Sequence, residues 1–219
     1  MVRGETKINK FYVALAILVV ILIIVAFIFS GNQITRAIIE DKYLNDGWAD
    51  LGVPTYEEGF FGLEKQASIK YGIESDTTNS TFLRVITIKT LFMISEEELI
   101  EKTEETIIES AVEQNITLDQ TSRIKDSRIL ANGHKTFYVI YNGSKISNDA
   151  NKEVIIIGET WNCARSGTSV ICIGYSQIEN NDYSSLTKIL GDASGTFSKI
   201  FKSPDFVNQQ GLIFNVKCH

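Results

Sequence analysis

Three cysteines, two prolines and two histidines are all the chain holds of these types in 219 residues. Each scarcity excludes something. Pro54 and Pro204 are too few for a proline-rich linker, and no low-complexity run or internal repeat points to a solenoid. With only His134 and His219, histidine-based catalysis has little to draw on. No G-x-S-x-G elbow, H-E-x-x-H pair or phosphate loop is present. Basic residues are in the minority, 21 Lys and Arg against 27 Asp and Glu, for a formal net charge of −6. An acidic chain without a basic stripe argues against nucleic acid as a partner. It argues equally against electrostatic docking on anionic lipid.

The sharpest absence is local. From Phe11 to Ser30 the sequence FYVALAILVVILIIVAFIFS holds no charge, no proline and no glycine. A helix of that length is about 30 Å long, the thickness of a bilayer's hydrocarbon core. It predicts a single transmembrane helix whose partner is membrane lipid. Arg3, Lys7 and Lys10 precede it against Glu5 alone, so the positive-inside rule keeps residues 1–10 cytoplasmic and exports the C-terminal bulk. Ile28, Phe29 and Ser30 make a poor signal-peptidase exit, and no cysteine stands just beyond them to carry lipid. The run also lacks the polar groups of an ion path and a GxxxG pair. It reads as a tether.

The remainder is the size of one domain. Residues 31–60 are expected to form a juxtamembrane helix over Gly31 to Trp48 and a linker, residues 61–203 an α+β domain, and residues 204–219 a tail. Ala67 to Glu74 and Phe82 to Ile94 alternate as strands around a Thr77 to Ser80 turn. Ser95-Glu96-Glu97-Glu98 is a capping box that opens a helix, with Ile100, Thr103, Ile107 and Ala111 at helical spacing. Leu99, Ile108 and Val112 widen that face. Glu97, Glu101, Glu105 and Glu109 line a solvated side. Leu118 to Ile129 and Thr136 to Tyr141 are strands joined by an Asn132-Gly133 turn. A polar loop over Gly143 to Asn151 leads to Val154 to Trp161, whose Val154-Ile155-Ile156-Ile157 run marks a strand covered on both faces. Ser169 to Ser176 pairs with it. Leu186, Ile189, Leu190, Ala193, Phe197 and Ile200 form the stripe of a last helix over about Asp182 to Phe201.

The cysteines are read through the turn between those last two strands. If Gly167-Thr168 is a two-residue hairpin loop, Cys163 lies opposite Cys172, within disulfide reach. The exported side is oxidising, so a Cys163–Cys172 bridge is expected as a staple. Cys218 is left as a free or intermolecular thiol. Cys163, Cys172, Cys218 and His219 lack the tight C-x2-4-C clip of a zinc site, so no metal and no cofactor are expected. Asp149, Asn151 and Glu153 alternate oxygens as in a calcium loop, without its turn glycine or distal Glu. His134 is expected to face solvent from its turn and His219 to be a mobile end. Asn79, Asn142 and Asn115 each start a glycosylation sequon, the first two in turn-like segments.

This order of elements, with stretches such as NGHKTFYVIYNG and EVIIIGETWNC, resembles the PsbP-like domains over Phe61 to about Phe201. The resemblance implies an α/β/α sandwich, a mainly antiparallel sheet flanked by helices. It also implies a non-enzymatic accessory or binding module, here acting on a protein partner at the same membrane. No catalytic residue is singled out. A membrane-tethered hydrolase or thiol enzyme is the first alternative, and a pilin-like subunit cut near Gly4 the second.

Overall fold

A computed structural model describes residues 10–31, 33–59, 63–74, 81–147, 150–178, 199–201 and 211–219. Helix α1 runs Lys10–Gly31. Its side chains are described as far as Val25, and from Phe11 to Ile24 its large apolar groups are exposed. Among the described residues no helix is long and apolar enough to cross a membrane. The span expected over residues 11–30 is therefore not established by the fold.

The exit helix expected after α1 does not form. Ala37 and Ile39 are buried while Ile38 is exposed, the period-two pattern of extended chain rather than a helical stripe. The segment forms a short strand, β1 (Ile38–Ile39), a 3-10 turn (Asp41–Tyr43) and β2 (Trp48–Asp50). Asp46 and Gly47, both at positive φ, turn the chain into β2. The linker expected next is in part a strand, β3 (Thr55–Gly59).

The rest is mainly antiparallel sheet, an α+β architecture. After β3 come β4 (Glu64–Ile73), β5 (Thr81–Thr90), α2 (Glu96–Glu113), β6 (Ile116–Ile129), β7 (Lys135–Ser147), β8 (Ala150–Cys163), β9 (Thr168–Gln177) and β10 (Val216–Lys217). The main sheet is ordered β2-β4-β5-β9-β8-β7-β6, with β3 also on β4. All its pairings are antiparallel. The Val154 to Ile157 run is buried on both faces in β8, an interior strand, as its lack of polar alternation predicts. The polar stretch expected as a loop over Gly143 to Asn151 is strand where it is described, residues 143–147 and 150–151, because β7 and β8 pair out to Ser147↔Ala150. Backbone pairing there does not need apolar side chains, because the ladder hydrogen bonds form between main chains.

Each face carries its own core. On one, Phe82, Ile86, Ile156, Ile171, Ile173 and Tyr175 meet Leu99, Ile107 and Ala111 of α2. Ser95 caps that helix, its Oγ accepting a hydrogen bond from the Glu98 amide at 3.2 Å. Thr103 is buried with them, whereas Ile108 and Val112 are exposed, so the buried face is narrower than expected. Glu97, Glu101, Glu105 and Glu109 are exposed. The helix approaches β8 over Gly158, where a Cβ would lie 2.6 Å from Thr103 Cγ2 and 2.7 Å from Ile107 Cδ1. Glycine there is a matter of space.

The other face, with Tyr71, Leu83, Val85, Ile157, Trp161 and Cys172, is covered by the two ends of the domain. Ala37, Ile39 and Trp48 come from the segment after α1; Ile200, Phe201, Leu212, Ile213, Val216 and Cys218 come from the C-terminal part. The two ends join, β1 pairing with β10 through Ile38↔Lys217 and Ile39↔Val216. Of the expected last helix only residues 199–201 are described, Lys199 and Ile200 as helix and Phe201 past its end; Leu186, Ile189, Leu190, Ala193 and Phe197 lie outside the described residues, as does the Thr77 to Ser80 turn.

Candidate functional site

The β8–β9 hairpin decides where the cysteines go. Its turn is four residues long, 164–167, with Cys163 opposite Thr168 and Gly167 at φ +64°. The glycine supplies its left-handed conformation at the end of a four-residue turn, not at the start of a two-residue one. Cys172 consequently faces Glu159. Four residues of strand, about 13 Å, separate it from the position opposite Cys163, too far for a bridge. The expected Cys163–Cys172 disulfide is thus corrected. Cys163 pairs with Cys218, at a Cα–Cα distance of 6.6 Å and 55 residues apart in sequence, and Cys172 is the free, buried thiol. Burial, and then the charge of Glu159, push the Cys172 thiol well above its ordinary pKa, so it is inert where it stands.

Two imidazoles close around the bridge. His134, from the β6–β7 turn, brings Nε2 to 3.4 Å from Cys218 Sγ. His219 brings Nδ1 to 3.3 Å from Cys163 Sγ and 3.5 Å from Cys218 Sγ. The rings meet edge to face at 5.9 Å. His134 is half-buried rather than solvent-facing, and burial, helped by His219, holds its pKa below the usual value. His219 is exposed yet held against both sulfurs. Neighbouring Cys218 and His219 thus converge on the same bridge. The Asn132-Gly133 turn places His134: Leu130 N donates to His134 O at 2.9 Å and Gly133 takes φ +81°. The side chain of Asn132 donates to Val216 O at 3.1 Å, tying that turn to β10.

A sequence signal for this knot exists in hindsight. Val216 and Cys218 are buried while Lys217 and His219 are exposed, the alternation of a strand lying on a core.

A buried charge pair lies on the same face. Arg128 of β6 grips Glu159 of β8 with both ends of its fork, Nε to Oε1 at 2.8 Å and Nη2 to Oε2 at 2.6 Å. Their side chains are 3% and 0% exposed. Thr136 Oγ1 donates to Glu159 Oε1 at 2.6 Å, and the guanidinium stacks 3.9 Å from the Phe201 ring.

The calcium-like triplet is split by the described boundary. Asn151 and Glu153 line a groove of about 400 Å³ with Asp119 and Asn142, while Asp149 lies outside the described residues. Asp119 already accepts from the Thr121 amide and hydroxyl, at 2.9 and 2.6 Å. Of the sequons, Asn79 lies outside the described residues. Asn142 is not in a turn but mid-strand in β7, half-buried, with its side-chain oxygen buried and unpartnered. Asn115, at φ +57° just past α2, is exposed and offers the accessible amide. Comparison with family models, with curated proteins and with solved structures finds no match.

Proposed function

We propose that the chain is a single-pass, membrane-tethered binding or accessory module, with a cytoplasmic N-terminus and the α+β domain displayed on the far side. One observation carries the reading. The apolar side chains of α1 stand exposed, while the domain beside it closes over its own two faces. A row of bare Leu, Ile and Val needs an apolar surrounding, and lipid supplies it along Phe11 to Ser30. The PsbP-like reading of the domain rests on element order: β4 and β5, the helix α2, then β6 to β9. It favours recognition of a protein partner over catalysis. Cys163 and Cys218 are 0% and 1% exposed, which suits a fastener better than a thiol enzyme's nucleophile.

Fractionation of cells tests the tether. The full chain should stay with membranes at high salt and alkaline pH, and a chain starting at Gln33 should be released. Protease added outside intact cells should remove the domain. Crosslinking in native membranes should then return a discrete partner. A full chain found in the soluble fraction would sink the tether. Turnover of a hydrolase or thiol-exchange substrate, abolished by His134→Ala or Cys163→Ser, would sink the non-catalytic reading.

A further inference from the structure

His134, Cys163, Cys218 and His219 offer two sulfurs and two ring nitrogens, all within 4.8 Å of one another. They come from three separate places: a hairpin turn, the end of β8 and the segment after β10. Three sulfur–nitrogen separations are 3.3, 3.4 and 3.5 Å. With Zn–S of about 2.3 Å and Zn–N of about 2.0–2.1 Å, a tetrahedral ion sets sulfur and nitrogen ligands about 3.5 Å apart. Three of the six edges of such a tetrahedron are therefore already near length, and the remaining atoms stand within 4.8 Å. The sulfurs are nearer than an ion would set them, as their covalent bond requires.

We propose that reduction of the Cys163–Cys218 bond converts this knot into a structural Cys2His2 zinc site. A dithiol reductant supplies two electrons and two protons; the disulfide becomes two thiols and the reductant a disulfide. Zinc then displaces both thiol protons to solvent, and two thiolates with two neutral imidazoles take up the ion. The assembled site is electrically neutral. Neutrality suits its position, because Cys163 and Cys218 are buried where an uncompensated charge is costly. All four positions are filled by protein, so the site is closed and structural rather than catalytic. Disulfide and zinc are alternative fasteners for one joint, and the C-terminal segment stays fastened to β8 in either redox state. Cys172, about four strand residues away from the knot, takes no part.

The test uses the full chain in detergent, purified without a polyhistidine tag. The protein is reduced with a phosphine, freed of reductant under inert gas, and titrated with Co2+ and then Zn2+. One equivalent of Co2+ should give the intense visible absorption of a tetrahedral ion together with sulfur-to-cobalt charge transfer. One equivalent of Zn2+ should bleach both. The unreduced protein should bind none. His219→Ala keeps the disulfide, so its fold is verified in the oxidised form; once reduced it should bind at least about tenfold more weakly. No uptake by the reduced chain overturns the proposal, as does a six-coordinate cobalt spectrum. Equal uptake by the unreduced chain, or unchanged affinity in the His219→Ala variant, does so too.

Discussion

Arg128 and Glu159 show what a single pair of side chains contributes inside this fold. Both ions are out of water, and their desolvation is offset by the bidentate contact and by Thr136. Such a pair is weak evidence for stability, yet breaking it leaves one charge stranded. Arg128→Met or Glu159→Leu alone should therefore lower unfolding stability by about 3–5 kcal/mol. The double variant should recover most of that loss, and urea denaturation of the four proteins in the cycle measures it. If the double variant is as unstable as the sum of the singles, the stranded-charge explanation fails. Nothing in the sequence announced this pair, because Arg128 and Glu159 meet across strands that are 31 positions apart. The cysteine pairing escaped for a related reason. Local spacing identified the hairpin, but the register depended on whether the left-handed Gly167 opens a two-residue turn or closes a four-residue one. That single choice moved Cys172 four residues along the ladder.

At the scale of elements, the readable features were those with local chemistry: the Ser95 cap, the Asn132-Gly133 turn and the apolar Val154 to Ile157 run of β8. The misread ones were governed by distant partners. The strip after α1 is extended because the sheet and β10 receive it, not because its own residues prefer strand. Glu104 shows how α2 is held to the sheet beyond its apolar face. It accepts from Arg123 of β6 at 2.7 Å and pairs with Lys125 of the same strand. Burial alone would raise its pKa, but the hydrogen bonds from Lys125 and Arg123 together hold it below the usual range. A carboxyl depressed in the folded state contributes stability that is present above its unfolded pKa and lost as pH falls through the folded one. Glu104→Gln should therefore destabilise the protein at neutral pH. The gap to wild type should close as pH drops through the acid range, and thermal melts at a series of pH values read it. A gap that stays constant down to strongly acid pH would show that the charge contributes nothing.

For the molecule as a whole, the Cys163–Cys218 bond ties the C-terminal segment across the domain. It closes 55 residues of chain, which in the chain-entropy account stabilises the fold by about 4 kcal/mol. A metal-free Cys163→Ser/Cys218→Ser variant should lose about that much in urea denaturation, whereas Cys172→Ala should leave the bridge intact. Without reduction, the denatured wild-type chain should yield one free thiol, that of Cys172. A count of three would refute the pairing.

The joining of β1 to β10 has a mechanical side. Any tug that arrives through α1 reaches Ala37 and Ile39 before it reaches a strand of the main sheet. There it meets the Thr87 hydroxyl, accepting from the Ala37 amide at 2.8 Å, and the Tyr71 hydroxyl, accepting from the Ile39 amide at 3.1 Å. It also meets β10, which is riveted to an interior strand one residue beyond Lys217. Load is thus divided among β5, β4 and β8 instead of peeling one edge. The Cys163–Cys218 rivet is the redox-sensitive part of that harness, so under the proposed exchange of disulfide for zinc, electron transfer swaps one fastener for another between α1 and the domain.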